Sequence, residues 1–197
     1  VILVMALIAP MAAYVLARST IFGRKSLLYL LLIGMFIAPH VTIVPLYSLL
    51  RNLGLIDTYL GLVVVYVSSG LPYCIFIIRS AFMMLPKSLE EAAKIDGLST
   101  FQIYWRIMLP LARPAILVAL ILEAIFVWND FLYPLVFLRS KDLYTIPLGL
   151  VVFRGMYLIK YGPLSAGLII SALPMIIFYI VFSKYISKGF AAWIGIK

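Results

Sequence analysis

The sequence predicts an all-α integral membrane protein, a polytopic bundle of helices. Its 197 residues are 65% hydrophobic and only 12% charged, and their mean hydropathy of +1.17 lies far outside the range of water-soluble domains. The apolar residues form long uncharged runs, and no pattern of alternating ten-residue segments suggests a lipid-facing barrel. Five of these runs are visible as spans.

The five spans follow one another as runs 1–17, 26–50, 58–78, a run that Pro114 opens, and 164–183. A helix needs about 20 apolar residues to cross a bilayer, so the first run is close to the minimum. Pro39 and Pro45 remove helix hydrogen bonds from the second half of the second run, which is expected to bend or unwind there. That bend either lines a pathway or shapes the packing of helices. Pro174 is expected to kink the last span.

The positive charges orient these spans. Eleven of the 16 Lys and Arg residues lie on one set of connecting segments and five lie on the other: Arg51, Arg139, Lys141, Arg154 and Lys160. Because positive residues accumulate on cytoplasmic segments, segment 80–113 and the C-terminus are expected in the cytoplasm. No basic run with interleaved aromatic residues suggests a nucleic-acid partner. A lone Cys74 and a lone His40, without neighbouring ligands, suggest neither a disulfide nor a metal site.

Segment 88–110 holds the densest cluster of charge and predicts a helix, a sharp turn and a second helix. Two pairs of residues at capping-box spacing mark the helix starts, Ser88 with Glu91 and Ser99 with Gln102. Gly97 can end the first helix in a left-handed conformation. Pro110 and Pro114 are expected to close the segment.

The chain has no phosphate-binding loop of the G-x-x-x-x-G-K-S/T kind. The stretch from Gly23 to Ser26 lacks both the spacing and the order of such a loop. If ATP drives this protein, the ATPase is therefore another subunit. Force must then cross an interface made by segment 80–113.

Segment 88–110 also carries a family resemblance. It resembles, without a mismatch, the EAA signature of the membrane-spanning subunits of binding-protein-dependent ABC importers, at Glu91, Ala92, Ala93, Gly97, Ile107, Leu109 and Pro110. Four other stretches resemble the carbohydrate-importing branch of the maltose and multiple-sugar type: AAYVLAR from Ala12, PLYSLLRNLGLIDTYLGL from Pro45, WNDF from Trp128 and YTIPLGL from Tyr144. The resemblance covers essentially the whole chain, as a single permease domain of residues 1–197 with a coupling loop at 80–113.

The resemblance implies the helical bundle of a type I ABC importer, which moves a sugar or oligosaccharide across a bacterial or archaeal cytoplasmic membrane by alternating access. It implies one further N-terminal span in relatives, no enzymatic activity and no cofactor in this chain. The implied partners are two copies of an ABC ATP-binding subunit that holds ATP and Mg, a second and nonidentical permease, and an extracytoplasmic solute-binding protein. Contact with the ATP-binding subunit would involve Glu90, Glu91, Ala92, Ala93, Asp96, Gly97, Ile107, Leu109 and Pro110.

A group of polar and aromatic residues in the fourth span is a candidate substrate pathway: Glu123, Trp128, Asn129, Asp130 and Tyr133. Glu123 lies about 14 Å along the helix, near the middle of the bilayer, where an ionised carboxylate facing lipid costs at least about 3 kcal/mol. It must therefore face protein or water. An aromatic platform with amide and carboxylate acceptors suits sugar hydroxyls. Alternatively, the aromatic residues form an interfacial belt and the polar ones hold the end of the helix.

The outer segment between the last two spans is expected to face the solute-binding protein, as the resemblance implies. Its candidate contacts are Tyr144, Arg154, Tyr157 and Tyr161. A self-contained channel or secondary transporter for a polar solute is the alternative function, although the chain shows no internal repeat. A membrane-embedded enzyme would need a catalytic constellation, which these residues do not form.

Overall fold

The computed structural model describes residues 1–19, 21–153 and 161–194, and this part of the chain folds into helices, turns and loops. The ten α-helices are α1 Ile2–Arg18, α2 Arg24–Phe36, α3 Pro39–Asn52, α4 Tyr59–Met84, α5 Ser88–Ile95, α6 Thr100–Ile103, α7 Leu109–Asn129, α8 Leu132–Phe137, α9 Ile146–Gly149 and α10 Tyr161–Ile194. A π-helical turn at Tyr104–Met108 joins α6 to α7, and 3₁₀ turns occupy Lys141–Leu143 and Leu150–Phe153. The prediction of an all-helical membrane protein is confirmed.

Three helical stretches in the described residues are long and apolar enough to cross a membrane: Tyr59–Met84, Thr100–Asn129 and Tyr161–Val181. The pair α2 and α3 adds a fourth if this broken pair is one span, and α1 is shorter, with 17 residues. The expected break in the second run is confirmed, because α2 ends at Phe36 and α3 begins at Pro39. Pro39 lies in the first turn of α3, where its missing N–H has no partner to lose. The count of five spans stays a prediction.

The chain divides into two compact units. The first contains Val1–Phe36, Val67–Glu123 and the described residues from Tyr185 onward. The second contains Ile37–Tyr66 and the described residues of Ala124–Lys184.

Small residues let the helices of the first unit pack closely. Ala9 and Ala13 lie four residues apart on α1 and are fully buried. On α7, the small residues Ala112, Ala115 and Ala119 are also buried. Helices in a membrane gain little from excluding water, so close backbone approach through such residues supplies much of their attraction. Cys74 of α4 is fully buried, and its thiol lies 3.9 Å from the carbonyl oxygen of Ala119.

In the second unit, Asp57 joins two loops into a clamp that we call the aspartate clamp: Asp57, Arg139 and Ser140. The Asp57 carboxylate accepts hydrogen bonds from the backbone N–H groups of Arg139 at 2.8 Å and Ser140 at 2.9 Å. The Ser140 hydroxyl donates to its other oxygen, and the Asp57 N–H donates to Phe137 at 2.8 Å. The Arg139 guanidinium in turn donates to the hydroxyl of Tyr47. Asp57 itself has φ +60°, a conformation that Asp and Asn tolerate better than other side chains.

These hydrogen bonds lower the pKa of Asp57 below its ordinary value, first through the Ser140 hydroxyl and then through the backbone donors. The unfolded chain therefore binds a proton more readily than the clamp does. The stabilisation is complete above the ordinary Asp pKa of about 4 and is lost as the pH falls through the lower, folded pKa.

We expect Asp57→Asn to loosen the clamp at pH 7 but to leave it insensitive to acid. Asparagine keeps the left-handed backbone and an acceptor oxygen, but it loses the charge. Asp57→Ala should loosen the clamp further, because alanine has no acceptor. Hydrogen-exchange protection of residues 137–140 in nanodiscs, followed from pH 7 down to about pH 2.5, measures both effects. Equal exchange in the native chain and in Asp57→Ala would show that the carboxylate does not hold these loops.

Candidate functional site

The EAA segment, residues Ser88 to Pro110, contains α5, a glycine turn, α6 and the π-helical turn. The turn is a Schellman motif: the Leu98 N–H donates to Ala93 at 3.0 Å and the Gly97 N–H donates to Lys94 at 3.0 Å. Gly97 has φ +80°, as this motif requires, so the prediction that it ends the helix is confirmed.

The second predicted capping box is also confirmed. The Ser99 hydroxyl accepts a hydrogen bond from the Gln102 N–H at 3.3 Å, and the Gln102 side chain accepts one from the Ser99 N–H at 2.9 Å. Both donors at the start of α6 are thus satisfied reciprocally. The capping box thus fixes the start of α6 at Thr100, three residues after Gly97.

The first predicted capping box, Ser88 with Glu91, is wrong. Lys87 precedes α5 in a helical conformation, with φ −64° and ψ −29°, and no side chain caps the helix. Its carbonyl accepts from the N–H groups of Glu90 at 3.0 Å and Glu91 at 3.1 Å. Ser88 is therefore already inside the first turn and cannot take the extended conformation of an N-cap.

The prediction that Pro110 and Pro114 close the segment is also wrong, since the helix runs through both to Asn129. The π-helical turn supplies a reason for Pro110. The N–H of Leu109 donates to Tyr104, five residues earlier, and this wider turn can relieve the clash between a proline ring and the preceding turn. The EAA segment therefore continues into a membrane-length helix without a break.

The two glutamates of α5 differ in their surroundings. Glu91 is exposed, together with Ala92 and with Ile95, which is 86% exposed. Glu90 is only half-exposed as a residue, and its carboxylate lies 3.2 Å from the Arg18 guanidinium. Ala93 is buried beneath the helix. One face of α5 therefore packs on the first unit and the other is open.

The other EAA-signature residues lie on both sides of the segment. Asp96 and Gly97 are exposed at the turn, whereas Ile107, Leu109 and Pro110 are half-buried where the segment enters α7. Phe101 is 64% exposed and Trp105 is 43% exposed, with their ring centroids 6.1 Å apart. The open face of α5 and this aromatic pair are exposed surfaces of the segment.

Gly97 offers a direct test of the turn. A Cβ added there would meet nothing within 4 Å, so the cost of a substitution comes from the left-handed backbone alone. We expect Gly97→Ala to destabilise the turn by about 1 kcal/mol and Gly97→Asn by less. Hydrogen exchange at Leu98, whose N–H closes the motif, reports this difference. Equal exchange in the alanine and asparagine variants would contradict the backbone explanation.

Among the candidate pathway residues, Glu123 belongs to the first unit, where it is buried and only 4% exposed. It faces protein, as its position in the span requires. Its Oε1 atom has no hydrogen-bond partner among the described residues. The carboxyl fits against Gly70 of α4, since a Cβ built on that glycine would lie 2.1 Å from Oε1 and 2.7 Å from the Cε atom of Met5.

The remaining pathway candidates belong to the second unit, and several use their polar atoms within the protein. The Trp128 indole donates to the carbonyl of Ser171 at 3.2 Å, and the Asn129 amide donates to Ile125 at 2.7 Å. Asp130 accepts from the N–H groups of Leu132 and Tyr133 at 3.2 and 3.1 Å, at the start of α8.

Asp130 also accepts a hydrogen bond from the hydroxyl of Tyr66 at 2.8 Å. Tyr133 is buried, with its ring edge-on to Tyr66 and stacked on Phe137. These contacts fit the interpretation in which the polar residues hold the helix ends. They leave a role in sugar binding as a prediction.

The candidate contacts for a binding protein are only partly described. Tyr144 is half-buried after the 3₁₀ turn, and Tyr161 is 71% exposed at the first residue of α10. Arg154 and Tyr157 lie outside the described residues, as does Lys160.

Sequence reasoning missed two residues that the structure places in this site. Arg18 is the last residue of the AAYVLAR stretch. Its ion-pair partner Glu90 is far away along the chain, so no local pattern connects the two residues. Gly70 is one of 12 glycines, and no local turn signal distinguishes it. Both depend on contacts between helices that are distant in the sequence.

The chain matches the model of one protein family over residues 5–191, described as binding-protein-dependent transport system inner membrane component. It is 40% identical over 185 residues to the probable ABC transporter permease protein YurM of Bacillus subtilis. The aligned residues cover 94% of this chain and 62% of YurM. It is 37% identical over 181 residues to the arabinooligosaccharides transport system permease protein AraQ of the same bacterium, covering 92% and 64%.

A solved structure is similar as well, that of a bacterial ABC transporter involved in the import of the acidic polysaccharide alginate. The TM-score is 0.76 and the identity is 28%, with 92% of this chain and 69% of the other covered. The chain thus spans less than two thirds of the length of the two curated relatives.

Proposed function

Because this chain belongs to the family of binding-protein-dependent transport system inner membrane components, we propose that it is the sugar-translocating permease subunit of an ATP-driven importer. The observation that carries the proposal is the EAA segment, a short docking helix that continues through the π-helical turn into a membrane-length helix. A force applied to the helix α5 would thereby reach a transmembrane span.

The exposed face of the EAA segment is suited to a protein partner. Glu91 and Ile95 are exposed one turn apart on α5, and Phe101 and Trp105 are exposed on the stretch that follows the glycine turn. Large aromatic residues beside a charged group are enriched in protein interfaces. The partner we assign to this face is the ABC ATP-binding subunit, in two copies, which would hold ATP and Mg.

The distribution of positive charge supports a cytoplasmic location for this face and for the C-terminus. The protein would then lie in the cytoplasmic membrane of a bacterium or archaeon. A second, nonidentical permease and an extracytoplasmic binding protein would complete the importer. Nucleotide-driven closure of the ATP-binding subunits would shift the spans between inward-open and outward-open states.

The substrate class we assign is a sugar or oligosaccharide. Support comes from AraQ, named for arabinooligosaccharides, and from the solved importer of alginate. Trp128 and Asp130 place an aromatic ring and a carboxylate near the end of α7, groups that suit sugar hydroxyls once their hydrogen bonds within the protein are exchanged. The group of Glu123, Trp128, Asn129, Asp130 and Tyr133 is our candidate pathway, and Tyr144, Arg154, Tyr157 and Tyr161 are candidates for binding-protein contact.

The test is ATP hydrolysis and uptake by the complex of this chain with its partner subunits in liposomes, using binding protein loaded with arabinotriose, maltose or diacetylchitobiose. We expect one of these sugars to stimulate ATP hydrolysis and to accumulate. Uptake without ATP or binding protein would instead establish a self-contained transporter. If none of the three sugars stimulates ATP hydrolysis, the assignment of short oligosaccharides of these kinds as substrates is wrong.

A further inference from the structure

Glu90 and Glu91 are adjacent and chemically identical, but the fold gives them different surroundings. Successive residues of an α-helix point about 100° apart. The Glu91 side chain is on the open face of α5. The side chain of Glu90 is only 13% exposed and meets Arg18, whose own side chain is 8% exposed. A partner subunit can therefore reach the second glutamate much more easily than the first.

Arg18 connects α1 to the end of α4. Its guanidinium donates hydrogen bonds to the carbonyl of Phe82 at 2.7 Å and to that of Leu85 at 2.5 Å. The last carbonyls of a helix lack partners within the helix, so Arg18 satisfies groups at the end of α4. Arg79 of α4 returns the contact, because its Nε–H donates to the carbonyl of Leu16 in the last turn of α1 at 3.1 Å.

Glu90 supplies the negative charge at this junction. The carbonyl groups of Phe82 and Leu85 accept hydrogen bonds from Arg18 but do not neutralise its charge. The Glu90 Oε1 atom lies 3.2 Å from the Arg18 Nε atom, and both atoms are buried. Their alignment is not that of a hydrogen bond, so the contact is an ion pair held by charge. Burial weakens the screening of such a pair by salt and water.

We propose that Glu90 is a positioning residue that fastens the docking helix α5, through Arg18, to the ends of α1 and α4, while Glu91 makes the contact with the ATP-binding subunit. The inference rests on the proposed function of the EAA segment. It divides the two glutamates between two tasks: one attaches the helix to its own subunit and the other attaches it to the partner. A displacement of α5 is thereby transmitted to α1 and α4 as well as to α7.

The matched variants Glu90→Gln and Glu91→Gln test this division, because each removes one charge and keeps the shape. Hydrogen exchange of residues 88–96, measured on the full chain in nanodiscs without the ATP-binding subunit, reports the attachment of α5. We expect exchange about five- to tenfold faster in Glu90→Gln and unchanged in Glu91→Gln. Titration with the ATP-binding subunit reports docking. We expect the Kd to rise at least about tenfold in Glu91→Gln and by a smaller factor in Glu90→Gln, whose carboxylate is paired with Arg18.

Glu90→Asp is the control for a merely local loss of stability. It keeps the charge and should restore slow exchange at least in part, whereas Glu90→Ala should not. Native exchange in Glu90→Gln would overturn the proposal, as would a loss of ATPase affinity equal to that of Glu91→Gln. An unchanged Kd in Glu91→Gln together with fast exchange in Glu90→Gln would leave the attachment intact and contradict the docking assignment instead.

Discussion

Replacing Glu91 by lysine is expected to abolish ATP-driven uptake while the chain still inserts into the membrane. The Glu91 side chain is exposed on the open face of α5 and makes no ion pair among the described residues. The substitution breaks no ion pair and costs the fold only the interaction of the carboxylate with the N-terminus of α5, about 0.3–1 kcal/mol. It reverses the charge at the proposed docking surface. Reversal of a charge at an interface commonly costs several kcal/mol of binding. We expect the affinity for the ATP-binding subunit to fall at least about a hundredfold, measured by co-purification and by uptake in liposomes.

The control for this prediction is Asp142→Lys. Asp142 is also exposed, lies in the 3₁₀ turn Lys141–Leu143, and undergoes the same change of charge away from the EAA segment. The affinity of this variant for the ATP-binding subunit should remain close to that of the native chain. Normal ATPase binding by Glu91→Lys would contradict the docking assignment. An equal loss of affinity for the ATP-binding subunit in both variants would point to a general effect of charge.

Gly70→Leu is expected to be the most destabilising substitution in the first unit. A side chain at Gly70 would collide with the carboxyl of Glu123, whose Oε1 and Cδ atoms lie 2.1 and 2.4 Å from the position of a Cβ, and with Met5. Glu123 and Met5 are buried, so they have little room to move. Overpacking of this kind costs about 1–3 kcal/mol, and leucine adds three further carbons. Thermal unfolding of the detergent-solubilised chain, followed by loss of the monodisperse peak, measures the effect.

The matched control is Gly34→Leu, because Gly34 also lies inside a helix and a Cβ there would meet nothing within 4 Å. It should unfold close to the native temperature. A second substitution tests the cause. Glu123→Ala should partly rescue Gly70→Ala, since it removes the two nearest colliding atoms and leaves only the flexible end of Met5 at 2.7 Å. The two effects should therefore be non-additive. Additive effects would show that the carboxyl does not occupy the space beside Gly70.

Glu123→Ala alone is expected to be neutral or mildly stabilising. An unpaired polar atom in a buried site costs free energy, and Oε1 has no hydrogen-bond partner among the described residues. If the transport cycle needs this carboxyl, uptake should fall although the stability does not.

Local chemistry predicted the elements that depend on neighbouring residues. The uncharged runs predicted helices, Gly97 predicted a left-handed turn, and Ser99 with Gln102 predicted a capping box; each is present. These features need only a few consecutive residues to form. Local chemistry also failed where a neighbour intervened. The helical conformation of Lys87 displaced the predicted cap at Ser88, and a π-helical turn carried the helix through Pro110.

The EAA residues could be identified from the sequence because their spacing is a pattern along the chain, but their orientations could not. Glu90 and Glu91 are equivalent in the sequence, and only the packing of α5 turns one of them toward Arg18. The same applies to Gly70, whose role is set by a carboxyl on another helix. The sequence by itself determined the helices, their membrane character and the family. Tertiary structure alone decided which charges pair and which stay open, because such pairs join residues that only the packing of helices brings within a few ångströms.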